Sequence, residues 1–417
     1  MAFSMADQGL SVAAMFLVNV TLARALTKAE YGSFALSYSA MVFLMGLHNA
    51  AILEPFTVFG SGRHRTRLSE YFRLMLWSNT AFSLLLSAPL LGLFLVCRWS
   101  APNLLPRSAA GLGLAAGALL SGALLRRTFY LQRRAAWAAA ASLIFFLSVC
   151  LGLRLTLHAG VLDSFSVYLV LAAGWLAAGT ALAAKLPWGG ARQEFLAGEP
   201  GYWREHWKYA RWVLLTAFVF QLTSQGYYWL AGGLLSVSKV AELKAMAVVV
   251  APADQIFIAL NYLALPRLSA HYAAAEIATL LAAWKRYAAA IAAATLGCFL
   301  FLRSFGKPVA HLLYGGRYDQ AAPLLTLLAL VPVVMGVGHT MNAALKAAES
   351  PRLVFWGYVC GGVATFAAGI PLVLRFGLRG AVYGMLCSGA CYTAALTVGF
   401  LVTFHRQLRG IRPVMAG

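Results

Sequence analysis

Long apolar stretches separated by short polar ones run along the whole chain. A helix that crosses the hydrocarbon core of a bilayer needs about 20 mostly apolar residues, and twelve stretches satisfy that requirement. They are continuously apolar rather than alternating, which excludes a transmembrane β-barrel. The twelve predicted spans cover residues 3–24, 32–53, 74–96, 109–131, 137–157, 163–184, 209–235, 243–265, 284–302, 321–345, 353–374 and 380–402.

The composition agrees with this pattern. Of the 417 residues, 61% are hydrophobic and only 11% are charged, and the mean hydropathy is +0.75. A soluble globular domain is about a quarter charged, so this chain cannot cover itself with a water-compatible surface. The sequence therefore predicts an all-α polytopic membrane protein.

The positive charges are unevenly distributed between the loops. The net charge is +20, and 21 of the 33 lysines and arginines follow even-numbered spans or lie in the C-terminal tail. Because cytoplasmic loops are enriched in Lys and Arg, both termini are predicted to be cytoplasmic, in a bacterial-type inner membrane. The cations are dispersed without forming a basic domain, so nucleic acid is not an expected partner.

The longest internal polar stretch, residues 185–208, divides the chain into two halves of six spans. We expect an N-terminal six-helix bundle over residues 1–205 and a C-terminal six-helix bundle over residues 206–417. An even number of spans gives both halves the same orientation, which is typical of parallel repeats. A shift of 212 residues yields only five identities over positions 29–54, so the repeat is suggested rather than established.

Polar side chains concentrate in the first, second, seventh, eighth and tenth predicted spans. Such groups are costly inside a membrane, and they mark substrate or ion pathways. The candidates for a substrate cavity are Asn19, Arg24, His48, Asn49, Gln221, Gln225, Asn261, His339, Asn342 and Lys346. The acids Asp7, Glu54 and Asp254 are the candidates for coupling to H⁺ or Na⁺. Hydrogen bonding to a neighbouring helix is an open alternative for the amides in particular.

Helical spacing groups several of these positions. His339, Asn342 and Lys346 are related as i, i+3 and i+7 and share one side of the tenth span, while Gln221 and Gln225 form an i, i+4 pair. Asp254 follows a proline that interrupts its helix near the bilayer centre.

Catalytic and metal-binding signatures are absent from the sequence. The six cysteines fall inside apolar stretches without a CxxC pair, and neither a nucleotide-binding loop nor a hydrolase motif occurs. We therefore expect no metal, no resident cofactor and no catalytic residue.

Three stretches resemble the polysaccharide flippases of the multidrug/oligosaccharidyl-lipid/polysaccharide exporter superfamily. They are LARALTKAEYGSFAL at 22–36, which follows Asp7-Gln8, LYGGRY at 313–318 and FGLRGAVYG at 376–384. The resemblance implies two six-helix bundles forming a V around a cavity lined by helices one, two, seven and eight. It also implies alternating-access transport of a lipid-linked oligosaccharide towards the outer leaflet.

The leading functional interpretation is a flippase for a lipid-linked oligosaccharide or polysaccharide precursor, with no enzymatic step. Membrane lipids and polysaccharide assembly proteins are the expected partners. An ion-coupled small-molecule or multidrug exporter of the same superfamily is the alternative. A second alternative is an integral-membrane glycosyltransferase or polymerase, which the short loops disfavour because such enzymes need a catalytic carboxylate at a membrane face.

Overall fold

A computed structural model describes residues 2–62, 64–97, 104–188 and 200–408. Across these residues every regular element is helical, and the predicted all-α fold class is confirmed. Contacts between Cα atoms divide the chain into two compact units, Met1–Gln221 and Leu222–Gly417. The junction lies inside one continuous helix, further along the chain than the predicted boundary between residues 205 and 206.

Seven helices precede the one that holds the junction. They are α1 (Ala2–Ala25), α2 (Lys28–His48), α3 (Glu54–Ser61), α4 (Leu68–Cys97), α5 (Leu104–Leu131), α6 (Ala135–His158) and α7 (Ser166–Leu182). A π-helical segment, Asn49–Leu53, joins α2 to α3, and a short 3₁₀ turn, Ala183–Lys185, follows α7.

The helix that contains the junction is α8 (Pro200–Leu234). It is followed by α9 (Val237–Val250), α10 (Pro252–Ala273), α11 (Ile277–Tyr314), α12 (Leu324–Leu328), α13 (Leu330–Ala347), α14 (Pro351–Ala367) and α15 (Gly369–Leu408). A 3₁₀ turn, Asp319–Ala321, lies between α11 and α12.

Each of the twelve predicted spans coincides with helix in the described part of the chain. There, nine helical stretches are long and apolar enough to cross a membrane alone, and α9 and α10, which are bent by 47° relative to each other, are long and apolar enough only as a pair. Pro252 begins α10 at this bend, as expected for a residue that cannot donate a backbone hydrogen bond. The two remaining spans correspond to α8, whose first turns are polar, and to α14, which has 17 residues.

The break between the last two predicted spans lies at a glycine inside α15. Gly377 has φ 59° and ψ −134°, a conformation that a residue with a side chain rarely adopts. This position falls between the predicted end of the eleventh span at 374 and the predicted start of the twelfth at 380. The first turns of α15 therefore continue the eleventh span beyond α14.

The π-helical segment interrupts the second span close to a proline. The N–H of Glu54 donates to the carbonyl of Asn49 in the wider i to i+5 pattern, and Pro55 follows immediately. In an α-helix the carbonyl of Ala51 would pair with the N–H of residue 55, which proline lacks. That carbonyl therefore lacks its α-helical donor and is open to a donor from elsewhere in the fold.

Within the first unit, α1 packs against α6, α4 against α5, and α7 against both α5 and α6. A buried hydroxyl cluster joins α2, α5 and α7, because the Oγ of Ser37 lies 2.7 Å from both the Oγ of Ser108 and the hydroxyl of Tyr168.

Within the second unit, α15 packs against α13 and α14, and α11 against α10 and α13. Its apolar core surrounds Tyr392 and Leu396 of α15. Interhelical hydrogen bonds and close packing are what hold such helices together, since lipid removes the hydrophobic drive between them.

Candidate functional site

Asp7 lies at the centre of a buried hydrogen-bond network in the first unit. Its carboxylate receives Nε and Nη2 of Arg126 at 2.8 and 2.7 Å, the hydroxyl of Tyr130 at 2.6 Å and the hydroxyl of Ser142. The Asp7 side chain is completely buried, and that of Arg126 is 19% exposed. A carboxylate with four donors is well satisfied in its ionised form.

His48 is also buried, and it begins a chain of polar side chains across three helices. Its Nε2 lies 2.8 Å from Oδ1 of Asn79, whose Nδ2 donates to Oγ of Ser121 at 3.0 Å. The imidazole packs 5.5 Å from the ring of Phe82. Interhelical hydrogen bonds of this kind hold membrane helices together, so a structural role for His48 is an alternative to substrate contact.

The neighbouring predicted residue, Asn49, accepts a hydrogen bond from a second arginine of α5. Nη2 of Arg127 donates to its Oδ1 at 2.9 Å, and both side chains are half-buried. Arg126 and Arg127 were counted with the loop charges in the sequence analysis, yet both lie inside α5. Two consecutive arginines in the last two turns of a predicted span are the signal that could have identified them.

The other predicted residues of the first unit are dispersed. Asn19 is buried; it accepts from the hydroxyl of Tyr31 on α2 at 3.1 Å and donates to the carbonyl of Met15 in its own helix. Glu54 accepts from the hydroxyl of Tyr209 at 3.2 Å. Arg24 is exposed at the end of α1. Gln221 packs directly on Gly46, and its buried Oε1 has no hydrogen-bond partner among the described residues.

In the second unit, Asn342 is brought together with two tyrosines. Its Nδ2 donates to the hydroxyls of Tyr358 and Tyr392 at 3.0 and 2.9 Å, and those two rings stack 5.2 Å apart. His339 lies one turn earlier on α13, with its ring 6.1 Å from that of Tyr392 and 4.9 Å from that of Phe257. Two of the three residues predicted to share a face of the tenth span therefore meet around Tyr392.

Lys346 is the third member of that predicted face, and it is exposed near the end of α13. It interacts electrostatically with His339. Gln225 is buried and donates to the hydroxyl of Ser224 at 3.0 Å, while Asn261 is half-buried on α10.

Asp254 has an exposed side chain in the first turn of α10, just after the bend. It interacts electrostatically with Tyr228 of α8. The same tyrosine ring lies 5.3 Å from Nζ of Lys244, a residue in the middle of α9. Tyr228 of α8 thus interacts with a carboxylate of α10 and with an ammonium group of α9, all within the second unit.

Lys244 is a functional candidate that the sequence analysis missed. It lies at the second residue of the predicted eighth span and was not among the predicted site residues. It is a cation within α9, and its Nζ lies 5.3 Å from the ring centroid of Tyr228. In the described residues, no group of three or more His, Cys, Asp or Glu side chains could hold a metal ion.

No protein-family model and no curated protein matches this sequence. Solved structures do match its fold along nearly the whole chain. An inward-facing multidrug resistance MATE family transporter of the MOP superfamily has a TM-score of 0.79 at 12% identity, over 99% of this chain and 100% of that one. The lipid II flippase MurJ, in an inward closed conformation, has a TM-score of 0.77 at 12% identity, over 98% and 91%.

A third match is a MOP superfamily transporter from Pyrococcus furiosus, described as having a binding pocket of reverse polarity. Its TM-score is 0.69 at 12% identity, over 97% of this chain and 94% of that one. The chain thus has the fold of the MOP-superfamily transporters, which confirms the predicted resemblance at the level of the fold. These three structures are described as two transporters and a flippase.

Proposed function

We propose that this protein flips a lipid-linked oligosaccharide or polysaccharide precursor from the cytoplasmic to the outer leaflet by alternating access. The observation that carries the proposal is the similarity of its fold to that of the lipid II flippase MurJ over 98% of the chain. The multi-pass arrangement of apolar helices fits a substrate whose polyprenyl tail stays in lipid while its head group crosses the membrane.

Each unit contains polar side chains whose chemistry suits a head group of phosphate and sugar. Arg127 and Lys244 supply cations within membrane-spanning helices, and phosphate oxygens bind such groups through charge-assisted hydrogen bonds. Arg24, His48 and Lys346 are further candidates for the phosphate or an acidic sugar.

Amide side chains would meet the sugar hydroxyls, because each amide can both donate and accept a hydrogen bond. Asn49, Gln221, Gln225, Asn261 and Asn342 are the candidates for this role. Asn342 already uses both of its N–H groups on tyrosines, so its carbonyl oxygen is the atom that it has left to offer.

Asp254 is the acid that best suits coupling to H⁺ or Na⁺. Its side chain is exposed, whereas the carboxylate of Asp7 is occupied by four donors and Glu54 accepts from a tyrosine. We place the protein in a bacterial-type inner membrane with both termini cytoplasmic, where polysaccharide assembly proteins would be its neighbours.

Reconstituted proteoliposomes test the proposal. A fluorescent polyprenyl diphosphate-linked oligosaccharide is incorporated, and its leaflet distribution is followed by an impermeant quencher. We expect the wild type to translocate it, Lys244→Gln and Arg127→Gln to lose most of the rate, and Lys239→Gln to retain it. Lys239 is a matched control because it lies on the same helix as Lys244 but is half-exposed and paired with Glu242.

The second candidate function is an ion-coupled small-molecule exporter, which the TM-score of 0.79 with a multidrug MATE transporter favours. It requires an acid whose neutralisation abolishes export. Translocation of an organic cation by the wild type, lost in Asp254→Asn, together with no movement of the lipid-linked oligosaccharide, would replace the flippase proposal with this one.

A further inference from the structure

The first turns of α8 have two chemically distinct faces. At 100° per residue, His206, Tyr209 and Ala210 fall on one side of the helix, and these side chains are buried or half-buried. His206 lies 2.6 Å from the carbonyl of Ala51 and 2.9 Å from the hydroxyl of Tyr71. These contacts fix the rotation of the helix about its own axis, so the opposite side is held facing away from the first unit.

That opposite side is aromatic and basic. Trp203, Trp207 and Trp212 are 48%, 55% and 65% exposed. Arg204, Lys208 and Arg211 are exposed as well. Together the six side chains occupy an arc of about 180°, with the three cations between the tryptophans; we call this arc the outward face of α8.

The cations of the outward face are available to a ligand. Within the described residues none of Arg204, Lys208 and Arg211 takes part in a salt bridge, and the nearest acid in sequence, Glu205, is half-buried. The guanidinium of Arg211 lies 5.8 Å from the ring of Trp212, which aligns a cation with the aromatic surface.

The depth of this face in the membrane follows from helix geometry. The stretch from Trp203 to Trp212 rises roughly 14 Å, which exceeds the polar head-group layer of about 5–8 Å on each side of the hydrocarbon core. The predicted seventh span begins at residue 209, so the stretch lies where the helix enters the bilayer. Tryptophan is enriched at that level, and clustered Lys and Arg there are attracted to anionic lipids.

We propose that the outward face of α8 binds the phosphate head groups of anionic phospholipids. The tryptophans would seat among the glycerol and upper acyl groups while the three cations contact the phosphates. Because α8 runs from the first compact unit into the second, bound lipid would act on the helix that connects them. This lipid-binding proposal does not depend on the proposed substrate, so it stands whichever molecule the protein transports.

Native mass spectrometry of the purified full-length protein tests this. Bound phosphatidylglycerol and phosphatidylcholine with identical acyl chains are counted over a titration. We expect the wild type to prefer phosphatidylglycerol several-fold, and the triple variant Arg204→Gln/Lys208→Gln/Arg211→Gln to lose that preference. The control, Arg303→Gln/Lys307→Gln/Arg379→Gln, removes three exposed cations from other helices and should retain it.

Two outcomes would overturn the proposal. One is an unchanged preference for phosphatidylglycerol in the α8 triple variant, which would show that these cations do not bind the lipid and would favour a protein partner for this face. The other is an equal loss in the control variant, which would show a general response to net charge. If the triple variant does not fold, the single variant Lys208→Gln should still weaken phosphatidylglycerol binding without affecting phosphatidylcholine. Binding is measured without transport, so its failure leaves the flippase proposal standing.

Discussion

The imidazole of His206 supplies the hydrogen bond that Pro55 denies to Ala51. The Ala51 carbonyl can only accept, so Nε2 of His206 carries the proton at 2.6 Å, and Nδ1 of the neutral ring then accepts from the hydroxyl of Tyr71 at 2.9 Å. A helix-breaking residue on α3 is thereby connected to the start of α8. His64 and Glu205 are the other titratable groups near Tyr71.

Removal of this imidazole should weaken the attachment of α8. His206→Ala removes this donor from the half-buried Ala51 carbonyl, and loss of such a hydrogen bond costs about 0.5–1.5 kcal/mol. His206→Gln places an amide that can donate to Ala51 and accept from Tyr71, so it should retain most of the stability. Thermal unfolding in detergent measures both variants. Equal midpoints for the alanine variant and the wild type would show that the bridge contributes nothing.

The same bridge should respond to acid. Burial lowers the pKa of His206, and the hydrogen bond to Ala51 offsets this only in part. Above the ordinary histidine pKa of about 6.5, both the attached and the released imidazole are neutral and the attachment has its full stability. As the pH falls below that value, the released form gains a proton first, so the attachment weakens until the lowered pKa is reached.

Hydrogen exchange of residues 200–212 at pH 7.5 and 5.5 measures this loss, after correction for the intrinsic exchange rate. The wild type should lose protection at the lower pH, whereas His206→Gln should show the same protection at both, because glutamine does not titrate. An identical pH response in the two proteins would assign the effect to other groups.

The buried pair of Asp7 and Arg126 predicts an asymmetric response to mutation. Arg126→Gln leaves a fully buried carboxylate without its cation, and loss of one partner of a buried pair costs about 3–5 kcal/mol. Asp7→Asn should cost less, because the Arg126 side chain is partly exposed and can reach solvent. Thermal unfolding of both variants and of the double variant measures the coupling.

This comparison also separates a structural role of Asp7 from ion coupling. If Asp7 is mainly structural, Asp7→Asn should lower the unfolding midpoint, while transport by the protein that remains folded should still depend on an ion gradient. A variant of normal stability that has lost the gradient dependence would instead support the predicted coupling role.

The helical framework was predictable because it depends on local properties of the sequence. Runs of about 20 apolar residues can satisfy their backbone only as helices inside a bilayer, and the twelve predicted stretches do coincide with helix in the described residues. The break in α15 at Gly377 likewise falls in the gap between the predicted eleventh and twelfth spans. Boundaries were harder, since a charged residue in the last turns of a span looks the same as one in the adjacent loop. Arg126 and Arg127 were assigned to a loop on that account.

The partners of the polar residues could not be predicted. Asp7 and Arg126 are 119 residues apart, and their pairing depends on how α1 packs against the helices around it. His206 carried no signal of its own, because a histidine in a polar stretch is ordinary. The missing N–H of Pro55 implied an unpaired carbonyl, but only the fold shows which side chain reaches it.

Close packing inside α15 makes one glycine sensitive to the smallest substitution. A Cβ at Gly380 would overlap the backbone carbonyl of Leu372, which cannot move aside as the tip of a flexible side chain could. Gly380→Ala should therefore lower the unfolding midpoint strongly or prevent accumulation of the protein. Gly297→Ala is the matched control on α11, where a Cβ meets nothing within 4 Å. In a helix this change should be neutral or stabilising by up to about 1 kcal/mol.

Variants of Asn342 and of its two tyrosine partners distinguish a role in stability from a role in substrate contact. Tyr392→Phe removes one acceptor of its Nδ2, and interhelical hydrogen bonds of this kind contribute about 0.6 kcal/mol, with a maximum near 1.7. Tyr358→Phe removes the other, and because both share one donor group, the double variant should lose more than the sum of the two. If Asn342 also meets sugar hydroxyls, Asn342→Ala should slow translocation of the lipid-linked oligosaccharide well beyond either tyrosine variant at matched stability. Equal rates for the three variants would limit Asn342 to holding α13, α14 and α15 together.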